Sequence, residues 1–277
     1  MKISAKKKKA GIPVIHFKNI SLIYDYIEGK RAVDINELRI LPGENVVILG
    51  PNGSGKSSFI NLIIRKRYPE LKKEPVIFDI FGREDWHIFE LKSHMGIISP
   101  ELQFAFLNSE LGEISVFDNI LSGYFSSIGI WREDVTPAMK QKAAATLEFL
   151  GISHLKERAM SAVSTGEARL ALIARALAHE PDTLLLDEPT SGLDMKASDC
   201  FRKILSKIAK RGTSIILVTH NLEDIIPEIK RAVLFKEGRI FRDGQLENTL
   251  NTKNLSRLYD ARIKLIKTGR GYRADVI

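Results

Sequence analysis

Residues 50–57 read GPNGSGKS. They fit the phosphate-loop template G-x-x-x-x-G-K-[ST], between an apolar run at Asn45–Leu49 and a helix-like segment at Lys56–Arg65. Glycines at these spacings let successive backbone N–H groups turn inward as a nest for an anion. The start of a helix adds partial positive charge. Lys56 is expected to reach the β- and γ-phosphates of a nucleoside triphosphate, and Ser57 to offer its hydroxyl to Mg²⁺. An ordinary glycine-rich turn is the plainer reading, but strand, loop and helix agree on the phosphate. A second segment, Thr183–Thr190 (TLLLDEPT), delivers two acids at the end of an apolar strand. In an α/β sheet, ligands sit off the carboxyl ends of strands. Asp187 is the expected partner of Mg²⁺, directly or through water, and Glu188 the general base on an attacking water. A third strand, SIILV, closes at Thr219–His220, where an imidazole can bond the γ-phosphate or position the water. A lone histidine after a strand is usually structural; two other strand ends with the same chemistry raise its rank.

These residues need a parallel sheet to hold them. Continuous apolar runs at Asn45–Leu49, Thr183–Leu186 and Ser214–Thr219 suit strands covered on both faces. Val14–Tyr24 reads as a strand, and Ala232–Gly244 as a hairpin turning at Glu237–Gly238. Between Ser93 and Ala162 the texture turns helical; in Pro137–Leu150 (PAMKQKAAATLEFL), Pro137 suits a first helical turn. This stretch is expected to be a helical insertion into an α/β core. The chain has 277 residues, 44% hydrophobic, which is enough for a core. The single cysteine, Cys200, allows no internal disulfide and fits a reducing compartment. The basic start is not followed by an apolar run of signal-peptide length. No apolar stretch approaches the roughly 20 residues of a membrane span. The net charge is +8, yet five lysines (Lys2, Lys6 to Lys9) lie in the first ten residues, and 247–277 carries a surplus of four. Residues 11–246 are therefore near neutral, which argues against a basic nucleic-acid groove across the body. The Lys6–Lys9 run reads as a solvated tail, with attraction to anionic lipid or nucleic acid as the sharper alternative.

Taken with Val163–Glu167 (VSTGE) and Ser191–Asp194 (SGLD), these motifs resemble the ATP-binding-cassette ATPases over about residues 14–246. The resemblance implies a P-loop NTPase of the α/β class: a RecA-like parallel sheet, an antiparallel β subdomain and an inserted helical subdomain at about 101–162. On that basis residues 1–12 are a basic tail, 13–246 the ATPase domain and 247–277 a C-terminal extension. It further implies ATP and Mg²⁺ as ligands. ATP contacts fall on Gly50, Pro51, Asn52, Gly53, Ser54, Gly55, Lys56, Ser57 and Ser58. The signature residues Ser164, Thr165, Gly166 and Glu167 are offered to the nucleotide held by another subunit, and Asp194 is a further nucleotide contact. The segment VSTGEARLALIARAL aligns with the family signature, usually written LSGGQ. Read as chemistry, Ser164 and Glu167 also form a capping box, and the helix start, with Ser164 and Gly166 exposed, is expected to bind an anion.

Two positions depart from the family signature: Thr165 stands for the usual Gly and Glu167 for the usual Gln, and an acid near a phosphate is electrostatically awkward. The usual glutamine of the Q-loop falls on Pro100, so Gln103 is its expected substitute at Mg²⁺. For the adenine, the resemblance points to Tyr24, with Tyr26 a near rival; a tyrosine packed on its own sheet is the bland alternative. With Lys56, Ser57, Asp187, Glu188 and His220 all present, an active ATPase is expected.

The resemblance also implies a homodimer or pseudo-dimer with shared ATP sites, working beneath separate membrane permease subunits at the cytoplasmic face of a membrane. The texts IISPELQ and SGYFSSIG look most like the molybdate-type importer branch, and Gln103–Trp131 is expected to grip the membrane subunit. Two other readings stay open. One is a soluble cassette protein acting on ribosomes or DNA, kept alive by the basic ends. The other is a regulatory module that turns over slowly, supported by the departures at Thr165, Glu167 and Pro100.

Overall fold

The structure is a computed structural model and describes residues 11–23, 31–70, 75–107, 110–125, 134–269 and 271–277. Tyr24, Tyr26, the Lys6–Lys9 run and the 126–131 part of Gly123–Trp131 lie outside the described residues. In chain order the main elements are β1 (Ile15–Ile23), β2 (Arg31–Ile40), β3 (Val46–Leu49), α1 (Lys56–Ile63), β4 (Ile77–Ile80), α2 (Ile88–His94), β5 (Met95–Ile98) and α3 (Pro100–Leu107). They continue with α4 (Val116–Ser122), α5 (Pro137–Leu150), α6 (Thr165–Ala176), β6 (Thr183–Asp187), α7 (Met195–Lys210), β7 (Ser214–Thr219), β8 (Arg231–Lys236) and β9 (Arg239–Gln245). The last are α8 (Leu246–Thr249), α9 (Thr252–Tyr259), β10 (Ile263–Thr268) and β11 (Gly271–Val276). The chain divides into two compact units, one made of the residues up to Ile88 with Ala209–Ile277, the other of Phe89–Ile208.

In the first unit, β3 lies between two parallel partners. Val46 to Leu49 pair with Ile216 to Thr219 of β7 on one side and Arg231 to Leu234 of β8 on the other. All four residues of β3 and all six of β7 are buried, which is why their sequences are unbroken apolar runs rather than alternating ones. β9 returns antiparallel to β8. Its turn, Glu237–Gly238, has φ 49° and 77° at the two positions, the twist that tight hairpins favour. A separate antiparallel sheet, ordered β2-β1-β4, opposes Ile15 to Ile40 and Ile80, and Phe17 to Leu38 and Phe78. The Phe17 ring meets Phe59 of α1 edge-on at 5.9 Å, and Phe59 meets Phe235 of β8 at 5.8 Å, so one aromatic chain joins sheet, helix and strand. Residues 247–277, expected only as a basic extension, fold into α9 and the β10–β11 hairpin, with Ile263 opposite Val276.

In the second unit, β5 runs parallel to β6, with Ile98 opposite Leu186. The strand β5 interrupts the stretch expected to be helical from Ser93 onward. Its text, MGII, is four residues long, too short to show a period. Helices α4, α5 and α6 pack on one another, and Val116, Ile120, Leu147, Ala171 and Leu172 on them are buried. Thr136 caps α5 with Pro137 at its first position, and Gly151 ends it in the left-handed region at φ 73°. α7 buries Phe201, Ile204, Leu205 and Ile208, an apolar stripe at helical spacing.

Candidate functional site

The first unit carries the phosphate loop. β3 ends at Leu49 and β7 at Thr219, and these residues are register partners, so Gly50 and His220 leave the sheet from adjacent strand ends. Gly53 and Gly55 have φ 77° and 100°. A Cβ on Gly55 would lie 2.4 Å from the Ala32 carbonyl oxygen, and one on Gly50 2.2 Å from that of Phe235. Only glycine lets the loop fold this tightly. Gly55 is the N-cap of α1 and gives it no side-chain cap, so the first-turn amides have no side chain of the cap residue over them. Lys56, 7% exposed, curls back over the loop, its Nζ donating to the Gly50 and Pro51 oxygens at 2.7 and 3.0 Å. Gly238 N–H donates to the Ser54 oxygen at 2.8 Å, pinning the loop to the β8–β9 turn. The Ser54 hydroxyl is buried and has no hydrogen-bond partner among the described residues. Asn52, Gly53 and Ser57 are exposed, Pro51 is half-buried, and Ser58 is buried. This is a cradle of amides with one ammonium at its centre, the chemistry of a phosphate site.

His220 is exposed and sits on a braced turn. The buried Thr219 hydroxyl donates to Asp224 Oδ2 at 2.8 Å and accepts from Asn221 N–H at 3.0 Å. The Tyr259 hydroxyl of α9 donates to the His220 carbonyl at 3.1 Å, a brace from the C-terminal extension that no sequence motif marked.

The second unit carries the acids and the signature segment. Asp187 closes β6 and is 7% exposed; Glu188, half-buried, has φ 43°. Ser191 N–H donates to the Glu188 oxygen at 3.1 Å and makes a tight turn of Glu188–Ser191. Asp194 caps α7, accepting from Ala197 N–H at 2.8 Å. At α6 the expected capping box forms. Ser164 Oγ accepts from Glu167 N–H at 3.3 Å, and Glu167 Oε2 accepts from Ser164 N–H and hydroxyl at 2.8 Å each. The Ser164 N–H foremost, then its hydroxyl, hold the Glu167 carboxyl below its ordinary value. The helix start expected to bind an anion is thus partly committed: the Ser164 N–H and hydroxyl face the chain's own carboxylate, and the Glu167 N–H faces Ser164 Oγ. Ser164 and Thr165 are exposed, whereas Gly166 is half-buried, and a Cβ on it would lie 3.1 Å from Ala197 Cβ.

Gln103 does not sit as a metal ligand would. It is 4% exposed, its Nε2 donates to the Thr165 oxygen at 3.1 Å, and its Oε1 accepts from Arg169 Nε at 2.5 Å. Both ends of the carboxamide are bonded inside the unit, so the Mg²⁺ role expected of Gln103 would require its Oε1 to leave Arg169. Arg169 itself was missed by sequence reasoning. The signal available was a lone guanidinium within the apolar run ARLALIA.

Comparison with known proteins agrees with this chemistry. Residues 33–191 match the ABC transporter family. The chain is 31% identical over 255 residues, 91% of its own length and 93% of the relative's, to the uncharacterized ABC transporter ATP-binding protein YlmA of Bacillus subtilis. It is 30% identical over 247 residues, 82% of the chain and 78% of the relative, to the energy-coupling factor transporter ATP-binding protein EcfA2 of Mycoplasmopsis pulmonis. Among solved structures, cbiO1 from Clostridium perfringens superposes with TM-score 0.70 at 26% identity over 88% of this chain and 93% of that one. A dimeric bacterial ABC transporter cassette does so with TM-score 0.66 at 26% identity over 84% and 98%. No described helix is long and apolar enough to cross a membrane. With the phosphate loop, the signature segment and a match across more than half its length, the chain belongs to the ABC transporter family as an ATP-binding subunit, an ATPase with the α/β cassette fold of P-loop NTPases.

Proposed function

We propose that this subunit hydrolyses ATP in a homodimer at the cytoplasmic face of a membrane and drives separate permease subunits. The observation that carries this reading is the uncapped, lysine-bearing start of α1, leaving the sheet beside the strand end of His220. In it, the amides of Gly50–Ser58 and Lys56 hold the β- and γ-phosphates, and His220 orients the γ-phosphate and the water. Glu188 takes a proton from that water, and the water oxygen forms a bond to the γ-phosphorus as the bridging bond to ADP breaks, releasing ADP and inorganic phosphate. The adenine stacks on Tyr24, with Tyr26 as the alternative.

The donor set suits Mg²⁺, an ion usually held by one or two carboxylates together with substrate phosphates. Ser57 offers an exposed hydroxyl in the first turn of α1, and Asp187 a carboxylate at the end of β6. When bound, the ion supplies charge neutralisation on the phosphate oxygens. Ser164, Thr165, Gly166, Glu167 and Asp194 face the triphosphate bound by the partner subunit, which makes ATP the glue of the dimer. Residues 13–246 form the ATPase domain, 101–162 its helical insertion, 1–12 a basic tail and 247–277 an extension. The texts IISPELQ and SGYFSSIG support an importer of the molybdate-type branch, while the name of one relative points to the energy-coupling factor kind. Affinity purification from membranes, with hydrolysis measured with and without Mg²⁺, tests the reading. A copurifying polytopic membrane protein and Mg²⁺-dependent hydrolysis are expected. A chain that hydrolyses ATP but copurifies with ribosomes or nucleic acid would favour the soluble alternative.

A further inference from the structure

Arg169 is 5% exposed on α6, between Ala168 and Leu170 and one turn from Leu172 and Ile173, all buried. A guanidinium in such a place is costly unless its donors are satisfied. Its Nε and Nη1 both reach motif segments. Its Nε donates to Gln103 Oε1 of α3 at 2.5 Å. Its Nη1 donates to the carbonyls of Pro189 at 2.7 Å and Ser191 at 3.0 Å, with a longer approach of 3.5 Å to that of Glu188. Gln103 in turn donates to the Thr165 carbonyl in the first turn of α6. One side chain thus ties together α3, the start of the signature helix and the turn that follows β6.

That turn is strained. Glu188 has φ 43°, a region that non-glycine residues rarely adopt and that persists only where the surroundings hold it. Carbonyls turned toward a buried cation are a strong way to hold it, because hydrogen bonds from an ionised donor are about twice as strong as neutral ones. The planar fork matters as well. Nε and Nη1 reach two different segments at once, which a single ammonium on a flexible stem does not do.

We propose that Arg169 is a positioning residue for hydrolysis: it holds the Glu188–Ser191 turn so that the Glu188 carboxylate is aimed at the water, and through Gln103 it links that aim to the first turn of the signature helix. This rests on Glu188 being the general base. The helix start that would meet the partner's nucleotide is then bonded, through two side chains, to the turn bearing the base. An anion arriving at Ser164–Glu167 would be reported to Glu188 within the same subunit.

The test is ATP hydrolysis at saturating and limiting ATP, with nucleotide binding and thermal melting measured on the same samples. Arg169→Lys keeps the charge and removes the fork. It is expected to lower kcat by about 10–100-fold, the scale of a small misplacement of a catalytic group, while KM and ATP binding change by less than about twofold. Gln103→Met keeps the volume and removes one arm, and is expected to lower kcat several-fold, by about 3–10, with the same unchanged KM. If Arg169→Lys melts below the assay temperature, Gln103→Met decides. Wild-type kcat in the folded variant, or a loss carried by KM and binding instead of kcat, overturns the proposal. Glu188→Gln separates the two ideas. Should it retain turnover, the base assignment fails; should it be inactive while Arg169→Lys turns over normally, only the hold fails.

Discussion

α1 and α6 both begin inside motif segments, and their first turns are built in opposite ways. α1 starts from Gly55 at φ 100°, with no side-chain cap and no acid in its first turn, and its first residue is Lys56. α6 starts from Ser164 in an extended conformation, with a complete capping box closed by Glu167. Every helix leaves four N–H groups without intrahelical partners, together with a partial positive charge. At α1 the chain adds an ammonium to that field; at α6 it answers the field with a carboxylate of its own. Because the Ser164 N–H and hydroxyl hold the Glu167 carboxyl below its ordinary value, that answer stays charged at neutral pH. The difference separates affinity from timing. An anion is drawn strongly to α1, whereas at α6 it meets a negative charge already in place, which favours a short-lived contact. In the proposed dimer, where hydrolysis removes the ATP that joins the subunits, such a weak second contact has a use.

The comparison can be broken most severely at α1. Lys56→Ala removes the one cation of the loop and is expected to lower ATP turnover by at least about 100-fold, measured as phosphate release. Turnover near wild type would mean that the amide cradle does not hold the triphosphate. Next comes Gly55→Ala. Its Cβ would be driven to 2.4 Å from the Ala32 carbonyl at a left-handed φ, and a loss of about 1–3 kcal/mol in urea unfolding is expected, together with lost nucleotide binding. At α6, Ser164→Ala removes the cap, so about 1 kcal/mol of stability should be lost with the phosphate loop intact. Glu167→Gln is the finest probe. The carboxamide can still close the box while the negative charge is gone, so ATP-driven association is expected to tighten by about 3–10-fold, the scale of a typical coupling between sites. Its pH dependence follows from the direction of the shift. A carboxyl with a depressed folded-state value stabilises the fold above the ordinary carboxylate range, near about pH 4.3, and that contribution fades as the pH falls through the depressed value. The melting advantage of the wild type over Glu167→Gln should therefore narrow below that range; an advantage that grows on acidification would contradict the capping geometry.

The sheet was legible where burial on both faces writes itself as an unbroken apolar run, as in β3, β6 and β7, and the β8–β9 hairpin where Glu237–Gly238 marks the turn. The capping box of α6 was legible because it needs only two side chains three residues apart. Elsewhere the physics left no mark in the chain. β5 is too short to show a period, and the β10–β11 hairpin has a largely exposed face, so no buried pattern marked its strands within the C-terminal extension. The partners of Arg169 are mostly backbone carbonyls, which every residue carries and no sequence advertises. Gln103 was found as a glutamine near the expected place, but its direction is set by Arg169 and Thr165, far from it in the chain.

The central claim is that α1 of one subunit and α6 of another close on the same triphosphate. Sedimentation velocity of the Glu188→Gln variant in Mg²⁺ and ATP tests it most directly. A dimer with ATP and a monomer with ADP or without nucleotide are expected. A monomer under all three conditions, in a variant shown to bind ATP, would contradict it.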